Sequence, residues 1–302
     1  MYYNISKSQQ KHNTYIKETN YIMFINKRDE NISVFEDTMQ MIKSSTALTS
    51  AVENSTKNTV IYHEPAKQAY PKDRKTTVDV TTERSFQAAF RLSQKYSGKR
   101  LAVLNFASAT NPSGGVTRGS SAQEEGLCRC STLYPCLNTY RLKNEFYYVN
   151  RAKHSAVYSD VCIYTPNVLI IKSDTSSPER LPENQWLNVD IITCAAPNLR
   201  PQPSNSMNPN AGAPVKLSDK ELLDLHINRG RNILSSAAEN KADAVILGAF
   251  GCGAFRNDPK IVSQAYKTLC GEFDGVFDEL CFAIYCSAKE TANYDAFKAA
   301  LL

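Results

Sequence analysis

The sequence has no run of eighteen apolar residues, and no apolar core follows its first residues, MYYNISKSQQKHNTY. The first absence argues against a transmembrane helix, and the second argues against a secretory signal peptide. Nine cysteines in a chain without such a signal favour reduced thiols over a disulfide scaffold. We therefore expect a cytoplasmic protein with no membrane partner.

Concentrated basic charge is also lacking, since the net charge is only +5 over 302 residues. This mild excess suits an anionic partner, but it falls short of the basic stripe that a nucleic-acid binder carries. Internal repeats and long low-complexity linkers are absent as well. With 42% hydrophobic and 22% charged residues, the composition is that of an ordinary globular protein.

Strand and helix patterns alternate from residue 59 to the C-terminus, which predicts an α/β sandwich. The predicted strands cover residues 59–63, 76–81, 101–106, 146–149, 161–164, 168–172, 189–196, 244–247 and 280–286. The predicted helices cover residues 83–95, 218–239, 259–273 and 293–301, besides one that starts at Ser121. Ser218 is the expected N-cap of the longest of them.

Residues 1–55 are polar and predict a separate helical extension. Their apolar positions recur at near-helical spacing, at Ile16, Tyr21, Phe24 and Ile25 and again at Phe35, Met39 and Ile42. A partly ordered tail is the alternative, because the composition does not exclude it. We therefore divide the chain into an N-terminal helical extension, residues 1–55, and an α/β domain, residues 56–302.

One stretch combines a strand, a loop and a helix start. An apolar β run over residues 101–106 leads through small residues, 108–119, into a helix whose predicted capping box is Ser121 and Glu124. This arrangement exposes backbone N–H groups to an anionic ligand, and Glu124 and Glu125 stand at its mouth. Adjacent helical side chains diverge by about 100°, so the two acids cannot share one task. Spacing alone leaves open the alternative that they only complement the helix dipole.

A Gly-rich turn, GAFGCGAF, follows the predicted strand at 244–247. Glycine lets backbone N–H groups approach a diphosphate closely, and Asp258 and Pro259 supply the N-cap and the first position of the next helix. The turn lacks the Gly-Lys-Ser/Thr ending of a nucleoside-triphosphate P-loop and the six-residue dinucleotide fingerprint. Magnesium-dependent phosphoryl transfer is therefore disfavoured, and we expect no cofactor.

Cysteine is the remaining candidate for chemistry. Cys128, Cys130 and Cys136 lie close together, but their spacing is not one of the usual zinc patterns. Cys252 lies in the Gly-rich turn, where anion-binding amides would lower its pKa; the alternative is a small residue that simply fits. We expect no metal site.

Asn111-Pro-Ser-Gly-Gly, followed after seven residues by Gln123-Glu-Glu, resembles the signature of the bacterial-type poly(ADP-ribose) glycohydrolases, a branch of the macrodomain fold. The family pattern has three glycines, six to eight residues and then Gln-Glu-Glu, so Ser113 stands where the first glycine is expected. The Gly-Cys-Gly-Ala-Phe turn is similar to the diphosphate loop of that family. From roughly residue 76 to the C-terminus, the resemblance implies a macrodomain-like three-layer sandwich, a mixed sheet flanked by helices.

The resemblance implies an ADP-ribose site with a single acid/base carboxylate. Glu125 would protonate the departing ribose oxygen and then activate the attacking water, while Glu124 orients a ribose hydroxyl. Gln123 and Asn105 would help to hold the ribose. Glu83, at a strand end, is the candidate for the adenine amino group; the alternative is a charge near a helix N-terminus. The other contacts are expected from the two Gly-bearing turns, at Ser113, Gly114, Gly115, Val116, Gly251, Cys252, Gly253, Ala254 and Phe255.

The implied activity is release of ADP-ribose from poly(ADP-ribose) or ADP-ribosylated targets by acid/base hydrolysis of the O-glycosidic ribose bond. Ordinary glycosidases flank the bond with two separated carboxylates, whereas a ribose cation stabilised by its own diphosphate can react with one acid/base. Two alternatives remain: a mono-ADP-ribosyl hydrolase acting on protein side chains or nucleic acid, and a catalytically silent ADP-ribose-binding module. The expected partners are ADP-ribose, poly(ADP-ribose) or an ADP-ribosylated protein, and a nucleic acid only if it is ADP-ribosylated.

Overall fold

One mixed sheet of seven strands forms the centre of the fold. The computed structural model describes residues 27–66, 69–204 and 211–302, so the predicted helical positions Ile16, Tyr21, Phe24 and Ile25 lie outside the described residues. The strands are β1 Val60–Tyr62, β2 Thr77–Thr81, β3 Leu101–Phe106, β4 Cys162–Ile170, β5 Leu187–Cys194, β6 Ala244–Leu247 and β7 Glu279–Ala283. Their order across the sheet is β1-β4-β5-β3-β6-β7-β2.

Helices connect most of the strands and cover the sheet. The first, α1, is described over residues 27–44. The others are α2 Thr46–Lys57, α3 Ser85–Lys95, α4 Gln123–Cys130, α5 Leu133–Leu137, α6 Tyr140–Leu142, α7 Tyr148–Ala152, α8 Asp219–Glu239, α9 Pro259–Glu272 and α10 Ala292–Leu301. A π-helical turn, Lys143–Tyr147, joins α6 to α7. In the part of the chain that the structure describes, no helix has both the length and the apolar character needed to cross a membrane.

The strand directions bring the loops after the parallel strands to one edge of the sheet. β4 runs antiparallel to both of its neighbours, β1 and β5, and the other strand pairs are parallel. The parallel strands β5, β3, β6, β7 and β2 therefore end at the same edge, and β4 begins there. Open α/β sheets bind their ligands at this carboxyl edge.

Two hydrophobic cores lie on opposite faces of the sheet, because alternate residues of a strand point in opposite directions. In β3, Val103 packs in the same core as Leu127 of α4, whereas Leu104 packs in the core that contains Ile233 of α8. The predicted α/β sandwich, with a mixed sheet flanked by helices, is confirmed.

The start of α4 differs from the sequence prediction. The helix begins at Gln123 with Ala122 as its N-cap, and no side chain caps it, so the predicted capping box of Ser121 and Glu124 is wrong. Instead, the side chains of Gln123 and Glu124 accept hydrogen bonds from backbone N–H groups of β3 and of the loop that follows it. Hydrogen bonds to the end of β3 and the loop after it thus replace the local cap.

The aromatic run at residues 146–149 is helical, so the strand predicted there is wrong. It spans the π-helical turn and the start of α7. Phe146 and Tyr147 are both buried, with ring centroids 5.0 Å apart. Tertiary packing thus decides the conformation of a short apolar run that periodicity alone cannot assign.

The two strands predicted at 161–164 and 168–172 are one continuous strand, β4. Its pairing with β5 shifts register between Thr165 and Val168. Pro166 lies at this irregularity, where a residue without a backbone N–H cannot donate to the ladder. The proline that interrupts the sequence pattern therefore marks a bulge rather than the end of the strand.

Helix α1 packs directly against the sheet-bearing part of the molecule. Phe35 is buried edge-on to Tyr134, with ring centroids 4.9 Å apart. Thr38 donates a hydrogen bond of 2.6 Å to the carbonyl oxygen of Arg129 in the last turn of α4. The described part of residues 1–55 is helical, and the domain boundary at residue 55 stays a prediction.

Candidate active site

A cleft of about 530 Å³ opens at the carboxyl edge of the sheet. Most of its wall comes from the loops that follow β2, β3, β5, β6 and β7. The volume lies in the range of small-molecule sites. The wall includes Gly114, Gly115, Gln123, Glu124 and Glu125 from the first predicted motif and Gly251, Gly253, Ala254 and Phe255 from the second. Two motifs that are far apart in the sequence thus meet in one cleft.

Gln123 fastens the start of α4 to the sheet. Its side-chain oxygen accepts from the backbone N–H of Phe106 at 2.9 Å. Its amide nitrogen donates to the carbonyl oxygen of Leu104 at 2.8 Å and to Ser85 Oγ at 3.0 Å. These bonds use both amide hydrogens, so Gln123 sets the position of the two acids that follow it.

Glu124 is a buried carboxylate with a protein donor on each oxygen. Oε1 accepts from Asn105 Nδ2 at 3.2 Å, and Oε2 accepts from the backbone N–H of Ser108 at 2.7 Å. Burial raises the pKa of Glu124 well above its usual value, and the neighbouring charge of Glu125 adds to the rise. The two donors act in the opposite direction but do not cancel the effect of burial.

Glu125 differs from its neighbour because only one of its oxygens is engaged. Oε1 accepts from the backbone N–H of Gly115 at 2.8 Å. Oε2 is buried and has no hydrogen-bond partner among the described residues, although the side chain lines the cleft. An orphaned buried carboxylate oxygen costs free energy that a bound ligand could recover.

Gly114 is the position where the first loop and the two acids touch. Its φ of +57° lies in the left-handed region. A Cβ there would lie 2.4 Å from Glu125 Oε1 and 3.0 Å from Glu124 Oε2. The close approach therefore requires glycine, and the left-handed backbone favours it.

Three predicted contact residues lie behind the wall. Asn105 is buried beneath Glu124, and Val116 is buried in the core beside α4. Ser113 is also fully buried, and its φ of +58° is the conformation that a glycine would adopt at this place. The loop thus keeps a left-handed turn despite the serine, at the cost of some backbone strain.

The Gly-rich turn presents four of its five predicted residues to the cleft. The exception is Cys252, whose thiol pKa is raised by burial. A lowered pKa is therefore excluded, and the favoured interpretation, a small residue that fits, describes this cysteine better. Gly251 has a φ of +83°, and a Cβ there would lie 2.7 Å from that of Ala196, so the turn closes against the loop after β5.

Asn257 holds this turn in place, and sequence reasoning missed it. Its Nδ2 donates to the carbonyl oxygens of Pro197 at 2.8 Å and Gly251 at 3.1 Å. Its Oδ1 therefore accepts from His226 Nε2 on α8, at 2.8 Å. The network joins the Gly-rich turn, the loop after β5 and α8. A buried asparagine beside a helix N-cap gives no sequence signal of such long-range bonds.

A second buried side chain of α8, Arg229, orders the segment before β4. It donates to Asp160 Oδ1 at 2.8 Å and to the carbonyl oxygens of Ala195 at 2.7 Å and Val157 at 3.1 Å. Tyr158, between two of these contacts, has a φ of +62° and lines the cleft. Sequence reasoning missed both residues.

Glu83 does not line the cleft, contrary to the expected contact with adenine. Its carboxylate forms an ion pair of 2.9 Å with Arg91. The acid that lines the wall near this position is Asp174, which accepts from the backbone N–H of Phe86 at 3.1 Å. Burial raises the pKa of Asp174.

Tyr285, after β7, is a further residue of the wall that sequence reasoning missed. Its side chain is 60% exposed, and the guanidinium carbon of Arg84 lies 4.0 Å from its ring centroid. An exposed aromatic face in a cleft provides a surface on which a flat ring can stack.

One group of acidic and thiol side chains in the described ranges comes close enough to share a metal ion: Asp79, Glu279 and Cys281, with ligand atoms within 4.8 Å of one another. The Arg91 guanidinium contacts Asp79 at 3.2 Å and Cys281 Sγ at 3.3 Å. A protein cation therefore already fills this group, and none of the four residues lines the cleft.

The fold and the cleft together define a class: a macrodomain-like α/β sandwich whose Gly-bearing turns and paired carboxylates meet at the carboxyl edge of a mixed sheet. The family model described as microbial-type PARG (poly(ADP-ribose) glycohydrolase), catalytic domain, matches residues 28–173. Among curated proteins, no sequence matches the chain significantly.

Solved structures give the same result. The poly(ADP-ribose) glycohydrolase of Thermomonospora curvata is similar with a TM-score of 0.76 and 27% identity, over 90% of this chain and 100% of that one. The same enzyme bound to the inhibitor ADP-HPD has a TM-score of 0.74 and 28% identity, over 90% of this chain and 99% of that one. The poly(ADP-ribose) glycohydrolase of Deinococcus radiodurans in complex with ADP-ribose has a TM-score of 0.70 and 35% identity, over 83% of this chain and 96% of that one. The chain therefore belongs to the microbial-type poly(ADP-ribose) glycohydrolase family of glycoside hydrolases.

We predict that Gly114→Ala destabilises the protein by about 1–3 kcal/mol, because the new Cβ strains the backbone and displaces a buried carboxylate. Gly126→Ala in α4 is the matched control, since a Cβ there meets no atom within 4 Å. The control should be neutral or more stable by about 0.5–1 kcal/mol. Urea unfolding of both variants measures the difference, and equal stabilities would contradict this role of Gly114.

We also predict a pH dependence that comes from His226, whose pKa is lowered by burial from 6.5 to about 4. The fold keeps the ring neutral, while the unfolded chain binds a proton below about pH 6.5. The free energy of unfolding is therefore highest above about pH 6.5, and His226 lowers it as the pH falls toward 4. This decrease amounts to about 2 kcal/mol between pH 7.5 and pH 5.

Urea unfolding at these two pH values checks the prediction. His226→Gln keeps a donor that can reach Asn257 but removes the titration, so its stability should fall less on acidification. The same fall in the variant and the wild type would rule out His226 as the source.

Proposed function

We propose that the cleft binds ADP-ribose at the end of a poly(ADP-ribose) chain and hydrolyses the bond at C1″ of its terminal ribose, with Glu125 as the acid/base. The observation that carries this proposal is the unequal engagement of the two oxygens of Glu125. Oε1 is held by Gly115, while Oε2 is unpartnered among the described residues in the cleft wall. A catalytic carboxyl needs both a fixed orientation and one oxygen for the substrate.

The proposed reaction uses Glu125 twice. The protonated carboxyl gives its proton to the departing oxygen as the C1″–O bond breaks, and the diphosphate of the substrate helps to stabilise the ribose cation. Water then adds to C1″ and gives a proton to the carboxylate, which restores the acid. No metal or cofactor takes part in this scheme.

Glu124 is proposed to orient a ribose hydroxyl. Its oxygens already accept from Asn105 and Ser108, so the carboxylate cannot turn, but each oxygen has a further lone pair for a hydroxyl donor. A helix N-terminus lowers the pKa of a carboxyl, whereas burial raises it. For Glu124, burial prevails.

The diphosphate is proposed to lie on the Gly-rich turn. Gly251, Gly253 and Ala254 line the cleft, and a Cβ at Gly253 would meet no atom of the described residues within 4 Å. Phe255, also in the wall, is proposed to pack beside the terminal ribose. The adenine is then expected on the exposed face of Tyr285, beside Asp174 rather than beside Glu83.

The cellular setting is part of the proposal. All nine cysteines are free thiols in the structure, six of them buried. A protein with this many unpaired thiols suits a reducing compartment, as expected of the cytoplasm.

We predict that Glu125→Gln abolishes release of ADP-ribose, because an amide cannot transfer the proton. Its affinity for ADP-ribose should stay within about tenfold of the wild type, or about 1.4 kcal/mol, since the amide keeps the shape of the side chain. Product analysis on poly(ADP-ribose) and calorimetric titration with ADP-ribose provide the two readouts. Glu145→Gln, at an exposed ion pair with Arg141, is the control and should behave as the wild type. Wild-type turnover by Glu125→Gln would refute the assignment.

A further inference from the structure

We infer that the cleft contains a second nucleotide subsite on the departing side of the reacting bond, formed by Tyr158 and Arg200 against Phe255, and that it binds the adenosine diphosphate group of the next polymer unit. The inference rests on the proposed function and makes it more specific. It names the residues that would hold the leaving polymer unit.

The strand order places Tyr158 and Arg200 on one side of the acids along the carboxyl edge of the sheet. The two acids follow β3, near the centre of the strand order β4-β5-β3-β6-β7-β2. Arg84 and Tyr285 follow β2 and β7, whereas Tyr158 precedes β4 and Arg200 follows β5. Because neighbouring strands lie about 4.8 Å apart, these two pairs of residues leave the sheet on opposite sides of the acids. Phe255 follows β6, and its turn reaches across to Tyr158.

The side chains of the proposed subsite match the chemistry of a nucleotide. The rings of Tyr158 and Phe255 are tilted by 48°, with centroids 6.2 Å apart, and the guanidinium carbon of Arg200 lies 6.0 Å from the Phe255 ring. All three residues line the cleft. Aromatic faces stack on a nucleobase, and a guanidinium pairs with phosphate oxygens. A serine, arginine or glutamate leaving group would use neither feature fully, whereas an adenosine diphosphate group would use both.

Tyr158 is held in a strained backbone conformation by buried contacts. A φ of +62° is strained for a bulky residue and persists only where the surroundings determine it. Arg229, which is 1% exposed, supplies this constraint through its bonds to Val157, Asp160 and Ala195. The strained residue thus stands at a ligand-facing position, and buried contacts support it from behind.

Hydrogen bonds also fix the side chain of Arg200. It donates to Asn198 Oδ1 at 3.0 Å and to the carbonyl oxygen of Pro203 at 2.9 Å. Asn198 Nδ2 in turn lies 3.5 Å from the hydroxyl of Tyr158. The tyrosine and the arginine are therefore linked through one amide, and little side-chain entropy remains to be lost on binding.

The test compares two substrates that share the proposed chemistry. One is poly(ADP-ribose), and the other is ADP-ribose joined through C1″ to a small alcohol, which has no second nucleotide. Tyr158→Asn removes the ring but keeps a residue that tolerates positive φ, and Arg200→Gln removes the charge. Each variant should lose at least tenfold more kcat/KM on the polymer than on the conjugate, mostly through KM.

Two controls sharpen the comparison. Tyr158→Phe keeps the ring and should restore most of the polymer activity. Arg231→Gln on α8, at a partly exposed ion pair with Glu272 of α9, should change neither rate. Thermal melting of each variant shows whether a loss reflects unfolding; if Tyr158→Asn does not fold, Arg200→Gln carries the same comparison.

The outcomes separate the two levels of the proposal. Wild-type turnover of both substrates, with equal losses in the variants or no losses, would overturn the second subsite and leave the proposed function standing. Turnover of neither substrate by the wild type would overturn the proposed function and this inference together. A selective loss on the polymer supports both.

Discussion

The close approach of a loop backbone to two adjacent buried carboxylates is the constraint on which the site depends. Glu125 is oriented by the N–H of Gly115, and this bond forms only because Gly114 has no side chain to separate the loop from the acids. Desolvating two carboxylates side by side is costly, and the donors Asn105 and Ser108 offset part of that cost for Glu124. Oε2 of Glu125 has no donor among the described residues, and we propose that this oxygen performs the chemistry.

The position of this cluster is determined by elements that do not touch a substrate. Gln123 fixes the start of α4 to the end of β3, and Thr38 of α1 donates a hydrogen bond to the last turn of α4. On the other side of the sheet, His226 and Arg229 extend from α8 to the loops that carry the opposite wall. Thr38, His226 and Arg229 are buried, and a buried polar group that loses its partner is costly, so the cleft is sensitive to single substitutions in this network.

The parts that the sequence predicts well are those with local signals. Spacing and residue type predict the run from β3 through the Gly-bearing loop to the two acids. They also predict the Gly-rich turn before α9, whose N-cap is Asp258, and the structure brings both stretches to one cleft. The capping box at Ser121 failed because longer-range bonds to the strand replaced the local one. The strand predicted at residues 146–149 failed because core packing favours a helix.

The residues that the sequence does not reveal act through distant partners. Asn257 bonds to a carbonyl 60 positions away, and Arg229 to one 72 positions away. Tyr158 is recognisable only by its strained backbone and its place in the wall. For Glu83 the sequence predicts a contact that the structure does not form. The residue type and its place at a strand end suit a ligand, but its carboxylate is paired with Arg91. Side-chain partners across the fold cannot be read from local patterns.

A crystal structure of the Glu125→Gln protein with ADP-ribose tests the central claim most directly. The account predicts the diphosphate on the turn from Gly251 to Phe255 and the oxygen on C1″ within hydrogen-bond reach of side chain 125, about 3 Å. A terminal ribose bound elsewhere in the cleft, with side chain 125 out of reach of C1″, would contradict it.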